Sequence, residues 1–397
     1  MSIIEAAAAI TLLYWTFMLV QMGVGLRLLP PLPKRAEAGS GARGKEKTPL
    51  VSVILAAKEE EKTIRETVQH LLQQDYARFE IIAVNDRSSD ATGRKLEELR
   101  RWSEGRPESR VPLTVIHITT LPDGWLGKNH ALYQGYKQAK GKYLLFTDAD
   151  VRFQPTTIRD AVAYAERQEA DHVTMSPYMK SQSFWLRAFV HYFLFSLCLF
   201  IRPWRANLDH QHRHGMGIGA FNLISRQTYE GIGTHQTFAL RPDDDLQLGY
   251  RVKKHGYRQR FVTGNDHLEV EWYPNLQSAV QGLEKNLFSG FRYRFSYALA
   301  GMLGQLLFFF FPFIALWIVP GWPRLAYILS AAIAVGLYLL CVRRLTRDSG
   351  REAIVFPLTV CLLVYVLGRS VFLTLRRGGI YWRGTFYSLR ELKKRKP

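Results

Sequence analysis

Cysteine is scarce in this chain of 397 residues: Cys198, Cys341 and Cys361 are all it has, each inside an apolar run. They offer neither a disulfide framework nor a zinc cluster. Acid is short too, with 34 Asp and Glu against 53 Lys and Arg and a net charge of +19. Such an excess of base would suit nucleic acid, but the chain lacks any nucleic-acid recognition module. The bases instead follow apolar stretches. Lys34, Arg35, Arg43, Lys45 and Lys47 come after the first of these and Arg343, Arg344, Arg347 and Arg351 after the third. Arg376, Arg377, Lys393, Lys394, Arg395 and Lys396 come after the fourth. The positive-inside rule and attraction to anionic lipid predict this placement, so the expected partner is a membrane and not nucleic acid.

The apolar stretches are residues 6–29, 296–319, 325–342 and 353–375, each about long enough to span a bilayer. The first lacks a basic n-region and a small-residue cleavage pattern before Leu29-Pro30-Pro31, and reads as an uncleaved anchor. The expected organisation is an anchor at 1–29, a basic linker at 30–50, a cytoplasmic domain at 51–290, a C-terminal membrane region at 296–375 and a basic tail at 376–397. This describes a multi-pass protein of the cell membrane. Three full C-terminal crossings would leave the basic tail outside, so one is expected to be re-entrant or interfacial, unless the tail breaks the rule. Residues 183–204, apolar except for Arg187 and His191, read either as an interfacial helix with Trp185 and Trp204 near its ends or as a buried core helix.

Within the middle domain, strand and helix patterns alternate. Val51–Ala57 is a β-branched apolar run, residues 63–74 carry helical spacing, and a second strand runs through residues 80–84. A helix at 95–102 leads to a strand at Leu113–Ile118, and a helix at 129–139 leads to a strand at 142–147. Alternation of this kind predicts an α/β domain with a largely parallel sheet covered by helices, whose ligands collect at the carboxyl ends of the strands. The last of these strands ends in Asp148-Ala149-Asp150. Alternate residues share a face, so Asp148 and Asp150 can turn toward one point beyond the sheet edge. Paired carboxylates suit magnesium or manganese bound together with substrate phosphates. In Gly124-Trp125-Leu126-Gly127-Lys128, the glycines let backbone approach a ligand, and Lys128 at a helix start favours a phosphate. In Asp243-Asp244-Asp245-Leu246, carboxylates stand at a helix start, where one can serve as a base.

Taken together, these segments resemble the family-2 inverting glycosyltransferases of the GT-A fold. The matching elements are Ala57-Lys58-Glu59-Glu60-Glu61, the turn Asn85-Asp86-Arg87-Ser88 and the Asp-x-Asp. Asn85 stands in that turn where the family has Asp, and Arg87 where it has Gly. The Gly-Trp-x-Gly-Lys element resembles membrane glycosyltransferases of the carotenoid-ester and hopanoid pathways. The resemblance implies a GT-A mixed sheet with membrane helices at both ends of the chain. It also implies a nucleotide-diphospho-sugar donor, a UDP-sugar first, and a lipid-type acceptor. Donor-binding residues are then Ala57, Glu59, Asp86, Lys128 and Asp148, and Mg2+ or Mn2+ is held by Asp150 with Asp148. Asp244 and Asp245 align with the family's Glu-Asp, which makes Asp245 the expected base with Asp244 beside it. Gly219 and Phe221 in the Gly-x-Phe segment, with Lys285 and Trp382 near the membrane segments, are expected on the acceptor side. Processive polysaccharide synthases carry Gln-x-x-Arg-Trp in this region; here Gln281-Gly282-Leu283-Glu284-Lys285 lacks the Arg-Trp pair, which leaves a processive synthase as the alternative. A non-catalytic nucleotide-binding membrane protein is the second alternative.

Overall fold

The computed structural model of the chain describes residues 2–34, 48–105, 111–284, 287–382 and 385–394. Two compact units emerge, a sheet unit of residues 25–178 and 203–270 and a helical unit of residues 1–24, 179–202 and 271–397.

The sheet unit has strands β1 (Val51–Ala57), β2 (Phe79–Asp86), β3 (Leu113–Ile118), β4 (Tyr143–Asp148), β5 (Val151–Phe153), β6 (His172–Met179), β7 (Asn222–Ser225) and β8 (Gln259–Val270). They form one sheet in the order β3-β2-β1-β4-β7-β6-β8-β5. β1 pairs in parallel with β2 and β4, and β2 in parallel with β3. β7 then runs antiparallel to both β4 and β6, and β5 antiparallel to β8. This is the mixed α/β sheet the resemblance implies, with its parallel half built from the first four strands. β1 is buried along nearly its whole length because helices cover both faces of that half, as a parallel sheet requires. One core packs Val53, Leu55, Ile81 and Leu145 against Val68 and Leu71 of helix Ile64–Leu72. The other packs Ile54, Val84 and Phe146 against Ala131 and Leu132 of helix Gly127–Gln138 and Leu248 of helix Asp244–Lys254.

The sequence boundaries shift in two places. The expected linker at 30–50 begins inside the sheet unit: Leu32 donates to the Thr263 carbonyl at 2.9 Å, Thr263 donates to that of Pro30 at 2.9 Å, and the Leu32 side chain enters the core. Helix Phe184–Ile201, inside the expected 51–290 domain, belongs to the helical unit, as does everything after Val270.

In the helical unit five helices are long and apolar enough to cross a membrane: Ile3–Arg27, Phe184–Ile201, Phe295–Ile318, Trp322–Leu345 and Arg351–Arg377. An interfacial helix would keep one polar face for the headgroups. Phe184–Ile201 instead buries Phe189, Val190, Tyr192 and Phe195, as the core-helix alternative expects. Its polar residues are paired: the His191 imidazole lies 3.0 Å from Asp348 and 3.4 Å from Glu352, and Arg187 lies 2.5 Å from Glu352. Helix Phe295–Ile318 is wound as a π-helix over Gln305–Phe310. Pro312 has no N–H to give the Phe308 carbonyl, its α-helical partner four residues back. The Trp15 indole N–H donates to that carbonyl at 2.9 Å, tying the first helix to the third.

Candidate active site

β4 delivers Asp148 at the carboxyl edge of the sheet, and two neighbouring segments meet it there. Helix Gly127–Gln138 begins with Gly127 and Lys128, and the Lys128 ammonium lies 2.8 Å from Asp148 Oδ1 and 3.3 Å from Asp244 Oδ2. Helix Asp244–Lys254 contributes Asp244 and Asp245 from its first turn, where exposed N–H groups favour carboxylates. The loop before β7 joins these acids through one residue. Gly219 N–H donates to Asp245 Oδ2 at 2.8 Å, while the Gly219 carbonyl accepts from Asp148 N–H at 3.0 Å. The other Asp245 oxygen accepts from Leu246 N–H at 2.8 Å. Close approach dictates the glycines, since a Cβ on Gly219 would meet the Asp148 carboxylate and one on Gly217 the Asp245 carbonyl. Behind the loop, Gln259 and His172 brace it. Gln259 accepts from Met216 N–H and donates to the Met216 carbonyl, both at 2.8 Å, and donates to His172 Nδ1 at 2.6 Å. His172 in turn lies 3.2 Å from Asn222 Oδ1.

Lys128, Leu132, Phe146, Thr147, Asp148, Gly219, Asn222, His235, Asp244, Asp245 and Leu248 line the resulting pocket. Its electrostatics follow from acids gathered out of water. Burial, and then Asp244, push the Asp245 pKa up to about 7. Burial also raises Asp244, against the pull of Lys128. Burial, followed by Asp148 and Glu60, pushes Asp150 up to about 7. For Lys128, burial disfavours the ammonium, but Asp148, Asp244 and Asp245 outweigh it and hold the group above the ordinary lysine range.

The structure thus brings Lys128, Asp148, Gly219, Asp244 and Asp245 together, with Asp150 two residues beyond Asp148. Ala57 and Glu59 follow β1. Glu59 accepts from Ser89 N–H at 2.7 Å, which knits the β1 loop to the loop after β2. The Asp86 carboxylate is buried and held by the Arg87 guanidinium in a fork, at 2.7 and 3.0 Å. Arg87 has φ +55°, the left-handed conformation that glycine adopts at no cost. Its guanidinium is held in place by the Asp86 carboxylate. Phe221 departs from expectation: its ring is fully buried beside Phe153, 6.1 Å between centroids, and packs the core. Lys285 lies outside the described residues, and Trp382 ends the short strand Gly379–Trp382 of the helical unit. Sequence reasoning missed His235 and Asn222 as pocket residues and His172 and Gln259 as its braces. Asn222 and His235 are polar residues within apolar or glycine-rich segments, which was a signal, whereas His172 and Gln259 adjoin polar runs and carried none.

A parallel α/β half-sheet with a pocket at its carboxyl edge puts that pocket where open α/β sheets collect their ligands. Residues 52–230 match the family Glycosyl transferase family 2. A glycosyltransferase of Haemophilus influenzae, itself uncharacterised, is 29% identical over 191 residues, 42% of this chain and 55% of the relative. The 4,4'-diaponeurosporenoate glycosyltransferase of Staphylococcus aureus is 25% identical over 247 residues, 60% of this chain and 61% of the relative. The chain thus spans little more than half the length of these relatives. Among solved structures, a mannosyltransferase of Pyrobaculum calidifontis in complex with GDP-Man and Mn2+ aligns over 94% of this chain and 99% of its own, at 17% identity and a TM-score of 0.47.

Proposed function

We propose that the protein is a membrane glycosyltransferase that moves a sugar from a nucleotide-diphospho-sugar, UDP-sugars being the first to test, to a lipid-type acceptor with inversion. The observation that carries this reading is the meeting of Asp148, Lys128, Asp244 and Asp245, from distant parts of the chain, around one pocket in a family-2 domain. Inverting transfer needs a base to take the acceptor proton while the acceptor oxygen attacks the anomeric carbon from the face opposite the leaving diphosphate. Asp245 fits this role, because both its oxygens are oriented by backbone N–H groups and its pKa of about 7 matches a base working near neutrality. Lys128 holds Asp148 and Asp244 in place and brings positive charge to the donor side.

The donor set fits a divalent cation. Asp148 and Asp150 are hard oxygen ligands, and crowding with Glu60 raises Asp150, so a cation there relieves like-charge repulsion. Asp150 and Asp148 would hold Mg2+ or Mn2+, which when bound supplies charge stabilisation to a leaving diphosphate. A lipid acceptor is supported by the five membrane-length helices and, distantly, by the relative named for 4,4'-diaponeurosporenoate. The basic residues beside the apolar helices favour a cytoplasmic catalytic domain in the cell membrane. Mass spectrometry of lipids from cells with and without the protein tests the proposal. A hexose-bearing lipid present only with the protein, and of inverted anomeric configuration, is expected; a retained configuration rejects single displacement.

A further inference from the structure

His235 is one of the pocket residues the mechanism above does not use, and its surroundings fix what it offers. The imidazole is 1% exposed and set among Phe146, Tyr229 and Phe238, with ring centroids 5.1, 5.6 and 4.8 Å away. Both hydrogen bonds of the residue go to Tyr229: the backbone N–H of His235 donates to the phenol oxygen at 3.2 Å, and Nδ1 lies 2.6 Å from that oxygen. Tyr229 is fully buried, and an undonated phenol O–H there would cost a hydrogen bond. The arrangement that satisfies every group has the phenol accept from the backbone N–H and donate its proton to Nδ1. Nδ1 is then an acceptor, so the ring proton of the neutral imidazole sits on Nε2. Burial, and then Lys128, push the His235 pKa down to about 3, which agrees with a neutral ring.

The other polar groups of the pocket are committed. Thr147 donates to the Ala220 carbonyl, and Asn222 is engaged by His172 and the Ile218 carbonyl. Asp245 accepts from two backbone N–H groups, and Lys128 is paired with Asp148 and Asp244. With Nδ1 taken by Tyr229, Nε2–H is a neutral donor for the space His235 lines.

Resting on the transferase reading, we infer that His235, held by Tyr229 with its proton on Nε2, donates a hydrogen bond to a neutral hydroxyl oxygen of the reacting molecules and is a specificity-determining residue. That hydroxyl belongs either to the transferred sugar or to the acceptor, and the test separates the two. The full-length protein in detergent micelles is assayed with UDP-glucose, UDP-N-acetylglucosamine and GDP-mannose, both for hydrolysis of the donor by water and for transfer to extracted membrane lipid. His235→Phe keeps a ring against Phe146 and Phe238 but has no donor, whereas His235→Gln keeps an N–H at a similar reach. His235→Phe is expected to lower kcat/KM about tenfold to a hundredfold, with His235→Gln recovering most of the loss. A fall in both hydrolysis and transfer assigns the contact to the sugar, and a fall in transfer alone assigns it to the acceptor. Equal damage by Phe and Gln, or none by Phe, overturns the inference. So does a nitrogen-15 spectrum of labelled histidine, with His235→Gln as the assignment control, that shows the proton on Nδ1. That spectral result stands whether or not the protein turns over. Wild-type protein that fails to bind any of the three donors in calorimetry overturns the transferase reading and, with it, this inference.

Discussion

At the scale of single residues, the proposed roles of Asp245 and Lys128 differ in charge, one a carboxylate to take up a proton and the other held in its ammonium form. Asp245→Asn is expected to lower transfer roughly a hundred- to ten-thousand-fold while leaving calorimetric donor binding nearly intact. Because the Asp245 pKa is raised to about 7 and a base must be ionised, kcat/KM of the wild type should climb as pH rises through about 7 and level off above it. A profile that falls across this range would remove Asp245 as the base. His172, whose pKa is shifted down and not up, leaves its signature in stability. Burial depresses its pKa to about 4, whereas the unfolded chain takes up the same proton near 6.5. Stability from His172 is therefore complete above about pH 6.5 and lost as pH falls toward about 4. The gap in Tm between wild type and His172→Gln should narrow over that interval. The acids and Lys128 were legible in the sequence because strand ends and helix starts announce themselves. His172, Gln259 and His235 were not, because a buried polar residue is recognised by its partners; those of His172 and Gln259 sit tens of residues away, and that of His235 is a tyrosine whose burial the sequence does not announce.

At the scale of elements, the parallel half of the sheet was readable strand by strand, since fully buried strands are written as continuous β-branched runs. The antiparallel half was not. β5 has three residues and β7 four, too short for a period to register, and β8 mixes polar and apolar residues over twelve. The site depends on the hidden half, because β7 is entered through the Gly215–Gly219 loop that joins Asp148 to Asp245. Gly217→Ala is expected to cost about 1–3 kcal/mol of stability, read as a lower Tm. Activity should fall further than Tm implies, because the new methyl group would push on the Asp245 carbonyl. A variant with wild-type kinetics would mean that the loop can yield without moving the acid.

At the scale of the whole molecule, the chain passes between its two units several times, and composition alone suggested a simpler order of anchor, domain and membrane tail. Hydropathy found the spans but could not show that helix Phe184–Ile201, bracketed by sheet strands, keeps company with the other apolar helices. The protein should stay with membranes through salt and alkaline washes and be released only by detergent, whereas release by salt would reduce the apolar helices to a soluble core. Trp15→Phe should lower Tm in detergent by the equivalent of about 1 kcal/mol, because it strips the Phe308 carbonyl of its donor. That bond spans 293 residues. The helix Ile3–Arg27 therefore carries an indole whose partner is translated only 293 residues later. Until then that helix waits for its mate, and a chain cut short before Phe308 would never seat it.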